Sequence, residues 1–214
     1  MKALRGLYAI TPADLRGEAL YRVVEAALAG GARILQYRDK SHDQPRRLAE
    51  ARALAGLCHR HGALFIINDD PALAQVTGAD GVHLGRDDAT LEAARALLGP
   101  RAVIGVSCYD DFGRARRAAA AGADYVAFGA FYPSPTKPGA VRADPALLAR
   151  ARRELACPVV AIGGITPENA QPLITAGAAM VALIQGLFGA PDITAAARRI
   201  QGLFAAEDSH DPLQ

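Results

Sequence analysis

Asp69 and Asp88 each stand where an apolar, strand-like run gives way to a helical pattern, in "LFIINDDPALA" and "GVHLGRDDAT". If the two runs are neighbouring strands, both carboxylates meet at one rim. Such charges repel unless a cation lies between them, and a small set of hard oxygen ligands suits Mg2+ shared with substrate phosphates. Arg38 and Lys40 of "QYRDK", with Lys137 of "FYPSPTKPGA", would bring positive charge to the same place. Carboxylates, a divalent metal and cations in one mouth fit a diphosphate better than a single phosphate. The competing role for both aspartates is helix N-capping, in which the carboxylate accepts from the first unpaired backbone N–H groups. Asp70-Pro71 and Asp88-Ala89-Thr90 suit that role well.

Other run ends extend the set. Gln36 and Arg38 alternate with Tyr37 and so share one face of a strand, and a glutamine turned inward needs a partner or a ligand. Asn68 and Ser107 close the third and fifth apolar runs. "IGGIT" and "IQG", around Gly164 and Gln185, supply glycines where an anion must approach the main chain closely, or else simple tight turns. A phosphate cradle there and a metal-assisted site at Asp69 and Asp88 together imply two phosphorylated reactants. "FYPSPTKPGA", with Ser134, Thr136 and Lys137, is either an inert connection or a loop shaped to hold an anion. His59 and His61 fall at a helix end and His83 inside a strand, so all three read as structural. Tyr37 and Phe131 read as packing aromatics.

These residues need elements to position them. Eight short apolar runs, 6–11, 32–38, 63–68, 81–85, 102–107, 125–129, 158–164 and 180–185, alternate with longer Ala/Leu/Arg-rich helical patterns. Nearly continuous apolar runs are what parallel strands covered by helices require. Four times, in "AGGARIL", "TGADGVHL", "AGADYVAF" and "AGAAMVAL", a glycine closes a helical pattern and an apolar run restarts. Eight such units predict a single-domain α/β fold, the (β/α)8 TIM barrel, over 1–205, with 206–214 a loose polar tail. A doubly wound sheet is the alternative, but there is no GxGxxG turn. In such a barrel, function sits on the loops after the strands, where the residues above fall.

Composition sets outer bounds. The 214 residues are 51% hydrophobic and 21% charged with a net charge of +2, which supports a globular core and gives no basic surface for nucleic acid. No run is long enough to span a bilayer, and no secretory signal is evident. Three scattered cysteines fit neither a disulfide framework nor a zinc spacing, so ordinary thiols in a reducing cytoplasm are expected.

The stretches "YAIT", "QYRDK", "NDDPALA", "GVHLGRDD", "IGVS", "DYVAFGAFYPSPTK", "VAIGGIT" and "VALIQGLF", in this order, resemble the thiamine-phosphate synthase family over nearly the whole chain. The resemblance implies a transferase that joins hydroxymethylpyrimidine diphosphate to a thiazole phosphate by a dissociative mechanism. It implies Asp69 and Asp88 as Mg2+ ligands. It gives Gln36, Arg38, Lys40, Asn68, Ser107 and Lys137 to the pyrimidine diphosphate, with Lys40, Ser107 and Lys137 acting in catalysis. Ser134, Thr136, Gly164, Ile184 and Gln185 then meet the thiazole phosphate, and "YPSPTKPGA" becomes a lid. Partners are small molecules, with a homo-oligomer left open. Tyr109, where relatives often carry His, and Gln185-Gly186, where Ser-Ala is frequent, depart from the pattern, as do Asp70 and Arg86. A thiazole tautomerase of the same barrel, a phosphosugar isomerase or aldolase barrel, and a non-catalytic thiamine-pathway binding protein are the alternatives.

Overall fold

The computed structural model describes residues 4–86, 88–133 and 141–208. Eight parallel strands run in chain order: β1 (Gly6–Ile10), β2 (Ile34–Tyr37), β3 (Leu64–Asn68), β4 (Gly81–Leu84), β5 (Val103–Tyr109), β6 (Tyr125–Phe128), β7 (Val159–Ile162) and β8 (Met180–Leu183). Each pairs with the next, and β8 pairs back onto β1, so the barrel is closed. Closure removes both sheet edges. The helices are α1 (Gly17–Ala29), α2 (Gln44–Arg60), α3 (Pro71–Thr77), α4 (Leu91–Leu98), α5 (Phe112–Ala120), α6 (Ala146–Glu154), α7 (Gln171–Thr175), α8 (Gln185–Phe188) and α9 (Ile193–Asp208).

The period-two alternation of each strand sorts its residues into two cores. Tyr8, Ile10, Ile34, Ile66, Tyr125 and Met180 belong to the barrel interior. Their neighbours Leu7, Ala9, Leu35, Phe65, Ile67 and Val126 pack outward against the helices. The recurrent glycine does what its pattern predicts: Gly31, Gly78, Gly122 and Gly177 all take positive φ, between +68° and +116°, where other residues are strained. Each lets the chain leave a helix and enter the next strand without a long loop.

All eight expected strands form, mostly trimmed by a residue or two at their ends. The short helix α8 was not expected, and α9 runs on to Asp208, past the expected start of the tail at 206. Glu207 explains the extension, since it accepts from Gln171 Nε2 of α7 at 2.9 Å and holds the last helical turn. Among the described residues, no helix is long and apolar enough to cross a membrane. No disulfide joins the three cysteines, and burial pushes the Cys108 thiol up to about 12.

Candidate active site

The two aspartates meet at the C-terminal ends of β3 and β4. Asp69 follows β3 in the left-handed region, at φ +63°, and its N–H donates to the His83 carbonyl at 2.8 Å. A non-glycine residue holds such a conformation only where its surroundings enforce it. Asp88 accepts from Gly85 N–H at 2.7 Å. A Cβ on Gly85 would lie 2.4 Å from the Asp88 carboxylate and 3.8 Å from that of Asp69, so the glycine is what lets both crowd into one corner. Burial raises the Asp88 pKa, and the adjoining Asp69 raises it further; Gly85 N–H and Lys40 oppose them. Lys40 Nζ stands 3.4 Å from Asp69 Oδ2.

Helix capping falls to their neighbours. Asp70 accepts from Leu73 N–H at 2.9 Å at the start of α3, and Thr90 from Ala93 N–H at 3.2 Å at the start of α4. Asp69 and Asp88 therefore cap neither helix. Their donor set is two carboxylates; among the described residues, no group of three or more His, Cys, Asp or Glu is placed to hold a metal ion. Two hard oxygen donors, with remaining positions open to water and phosphate oxygens, fit Mg2+ and not a closed zinc site.

The loop carrying Arg38 and Lys40 is anchored from behind. Tyr37 faces outward and its hydroxyl donates to Glu50 Oε2 at 2.7 Å. Asp39, buried, accepts from Ser41 N–H at 2.7 Å and lies 2.7 Å from Arg46, which also reaches Glu50 at 3.0 Å. Burial alone would raise the Asp39 pKa. Hydrogen bonds from Ser41 and Arg46, with the charge of Arg16, outweigh it and bring it to about 2. A cavity of about 540 Å³ opens along this rim, lined among others by Lys40, Arg47, Asn68, Asp69 and Asp70.

A second cavity, of about 280 Å³, lies over β7 and β8, lined by Pro133, Gly163, Gly164, Thr166, Ile184 and Gln185 among others. Gly164 takes φ +63°, and a Cβ there would stand 2.3 Å from the Pro133 carbonyl. Asn169 sets this turn: its Nδ2 donates to Gly164 O at 3.0 Å and its Oδ1 accepts from Thr166 N–H at 2.8 Å. Ser134, Thr136 and Lys137, with Asp87, lie outside the described residues.

The thiamine monophosphate synthase family model matches residues 7–187. The chain belongs to that family. It is 59% identical to the thiamine-phosphate synthase of Thiobacillus denitrificans over 202 residues, 94% of this chain and 96% of the relative. It is 58% identical to that of Thioalkalivibrio sulfidiphilus, with the same coverage. Among solved structures, the thiamine phosphate pyrophosphorylase of Pyrococcus furiosus superposes with a TM-score of 0.85 at 31% identity, covering 94% of this chain and 96% of that one. These likenesses favour the synthase over the tautomerase, isomerase and binding-protein alternatives.

Against the thiamine-phosphate synthase pattern, two of the departures meet in space. The Arg86 guanidinium lies over the Tyr109 ring, 4.7 Å from its centroid. Tyr109 sits at φ +56°, where the register between β5 and β6 shifts. A tyrosine at this bend supplies an aromatic face that holds Arg86 at the rim next to Asp88. Asp70, the third departure, pairs with Arg47 at 3.0 Å besides capping α3. Gln185, exposed, opens α8 directly beside the second cavity.

Three contributors were not foreseen from sequence. Arg114 of α5 donates to the carbonyls of Ser107 and Gly85, at 2.7 and 2.9 Å, and ties the ends of β4 and β5 together. Asn169 sets the β7 turn. His83, read as a bland strand residue, stands in the barrel interior with Nε2 2.8 Å from Ser107 Oγ. Its position on the inward face was legible from alternation, but its partners were not.

Proposed function

We propose that the barrel mouth joins hydroxymethylpyrimidine diphosphate to a thiazole phosphate, forming thiamine phosphate and releasing diphosphate. The observation that supports this most is the convergence of Asp69, Asp88 and Lys40 on one rim, in a chain of this family. The pyrimidine's methylene C–O bond breaks heterolytically and its electron pair leaves on the diphosphate oxygen. The resulting carbon cation is stabilised by the aminopyrimidine ring. The lone pair of the thiazole nitrogen then forms the C–N bond, and the positive charge ends on the thiazolium. No proton is transferred, so no general base is needed; the barrier is lowered by charge placed where the leaving group develops it.

Arg38, Lys40 and Lys137 neutralise the departing diphosphate, and Ser107 donates a hydrogen bond to it. Gln36 and Asn68 orient the pyrimidine. Ser134, Thr136, Gly164, Ile184 and Gln185 hold the thiazole phosphate, so both reactants share one mouth and gain from proximity. Asp69 and Asp88 would hold Mg2+, which when bound supplies positive charge to diphosphate oxygens. The test is a coupling assay with both substrates. Thiamine phosphate should form with Mg2+, stop with EDTA and return with added Mg2+. Asp69→Asn and Asp88→Asn should each lower kcat by about a hundredfold. Turnover indifferent to chelator would overturn the metal assignment, and absence of product with both substrates bound would overturn the synthase reading.

A further inference from the structure

An unbroken run of four hydrogen bonds crosses the barrel interior. Gln36 Nε2 donates to Tyr8 Oη at 2.8 Å, and Tyr8 Oη meets Tyr125 Oη at 2.7 Å. Tyr125 Oη lies 3.0 Å from His83 Nδ1, and His83 Nε2 lies 2.8 Å from Ser107 Oγ. Gln36, Tyr8, Tyr125 and His83 are all buried. The two ends are the side chains assigned above to the pyrimidine and to its diphosphate.

The strand register builds this run. His83 of β4, Gly105 of β5 and Tyr125 of β6 are consecutive partners across three strands. A Cβ on Gly105 would stand 1.9 Å from Tyr125 Cζ and 2.4 Å from its hydroxyl. The missing side chain on β5 is therefore the slot through which Tyr125 reaches His83. Their rings stack at 5.6 Å and 18°, while Tyr8 meets Tyr125 edge-on at 80°.

The chemistry gives the run a direction. Burial raises the pKa of both phenols far above the ordinary value, so each keeps its single proton. Tyr8 accepts from the Gln36 amide nitrogen, which has no lone pair to accept in return, so the Tyr8 proton goes to Tyr125. The Tyr125 proton then goes to His83 Nδ1. His83 is left with its proton on Nε2 and donates to Ser107, whose own hydroxyl proton is free to turn toward the mouth. At the other end Gln36 turns its carbonyl oxygen away from Tyr8. A flipped Gln36 amide would reverse every bond and place the His83 proton on Nδ1.

We infer that Tyr8, Tyr125 and His83 are positioning residues that fix the polarity of both substrate-facing ends: an acceptor at Gln36 for the pyrimidine's exocyclic amino group, and a donor at Ser107 for the diphosphate. This rests on the proposed function. It makes the interior run a selector for amino-bearing over oxo-bearing pyrimidine diphosphates, because an oxo group needs a donor where the run presents an acceptor.

Two measurements test it. In substrate-free protein labelled with 15N-histidine, long-range 1H–15N correlation should show His83 as the Nε2–H tautomer. The Nδ1–H tautomer would overturn the direction and with it the inference. In kinetics, Tyr125→Phe keeps the ring and removes the central hydroxyl. It should raise KM for the pyrimidine diphosphate about tenfold, leave KM for the thiazole phosphate in place, and narrow the amino-over-oxo discrimination. A folded Tyr125→Phe enzyme with unchanged KM and unchanged discrimination would reduce the run to packing. If wild-type protein makes no thiamine phosphate, the proposed function falls and the assignment of the two ends falls with it. The tautomer, read without substrate, tests the direction separately.

Discussion

The two adjacent aspartates of "NDDP" have separate tasks, and the separation is measurable. Asp70 caps α3 and pairs with the buried Arg47, while Asp69 is turned out of the helix by its left-handed backbone and faces Lys40 and Asp88. Asp70→Ala should cost about 1–2 kcal/mol of stability and lower Tm by several degrees. Asp69→Asn should leave Tm nearly unchanged, because asparagine tolerates the same φ and relieves repulsion with Asp88, yet it should abolish most turnover. Thermal melts of the two variants beside the coupling assay would expose any exchange of these roles. The sequence alone left capping and metal binding open for both sites, since a shift of one or two residues at a helix start decides which carboxylate meets the N–H groups. His83 was opaque for a different reason. Its partner Tyr125 is distant in sequence, and the contact exists only because the glycine between them in register has no side chain.

At the scale of elements, the loop between β2 and α2 is held by a buried charge cluster behind the cations it presents. Asp39 is its centre, with a folded pKa of about 2 against 3.8 unfolded. A depressed carboxylate stabilises the fold fully above the unfolded value, and the contribution fades as pH falls from about 4 toward 2. It amounts to about 2 kcal/mol. Asp39→Asn should therefore flatten the loss of stability between pH 5 and 2.5, read by urea denaturation. An equally steep acid loss in the variant would place that stability elsewhere. Across the mouth, the β7 turn is as constrained: Gly164→Ala meets both an unfavourable φ and the Pro133 carbonyl. Its KM for the thiazole phosphate should rise about tenfold or more, with the pyrimidine KM little moved. The glycine pair was visible in sequence, but Asn169, which pins the turn, was not. A polar residue inside a loop-to-helix stretch carries no periodic signal.

At the scale of the molecule, the eightfold alternation of apolar runs and glycine-closed helices was legible because every unit repeats the same physics of strand, cover and left-handed exit. Closure itself is carried by β1 against β8 and by α9 against α1. Phe204 of α9 is 2% exposed, and Phe204→Ala should cost about 3–5 kcal/mol and lower the denaturation midpoint of the whole barrel in one transition. A variant melting in two stages would show that α9 docks independently. The same seam brings Arg5, just before β1, onto Phe204: the guanidinium lies 5.5 Å from the ring centroid and donates to the Phe204 carbonyl at 3.3 Å. This junction sits at the N-terminal ends of the strands, opposite the mouth. Circular permutation is thus open to this barrel: a bridge from the end of α9 back to Arg5, with new termini cut on that same remote face at Gly99, would reorder the units and leave every catalytic loop intact.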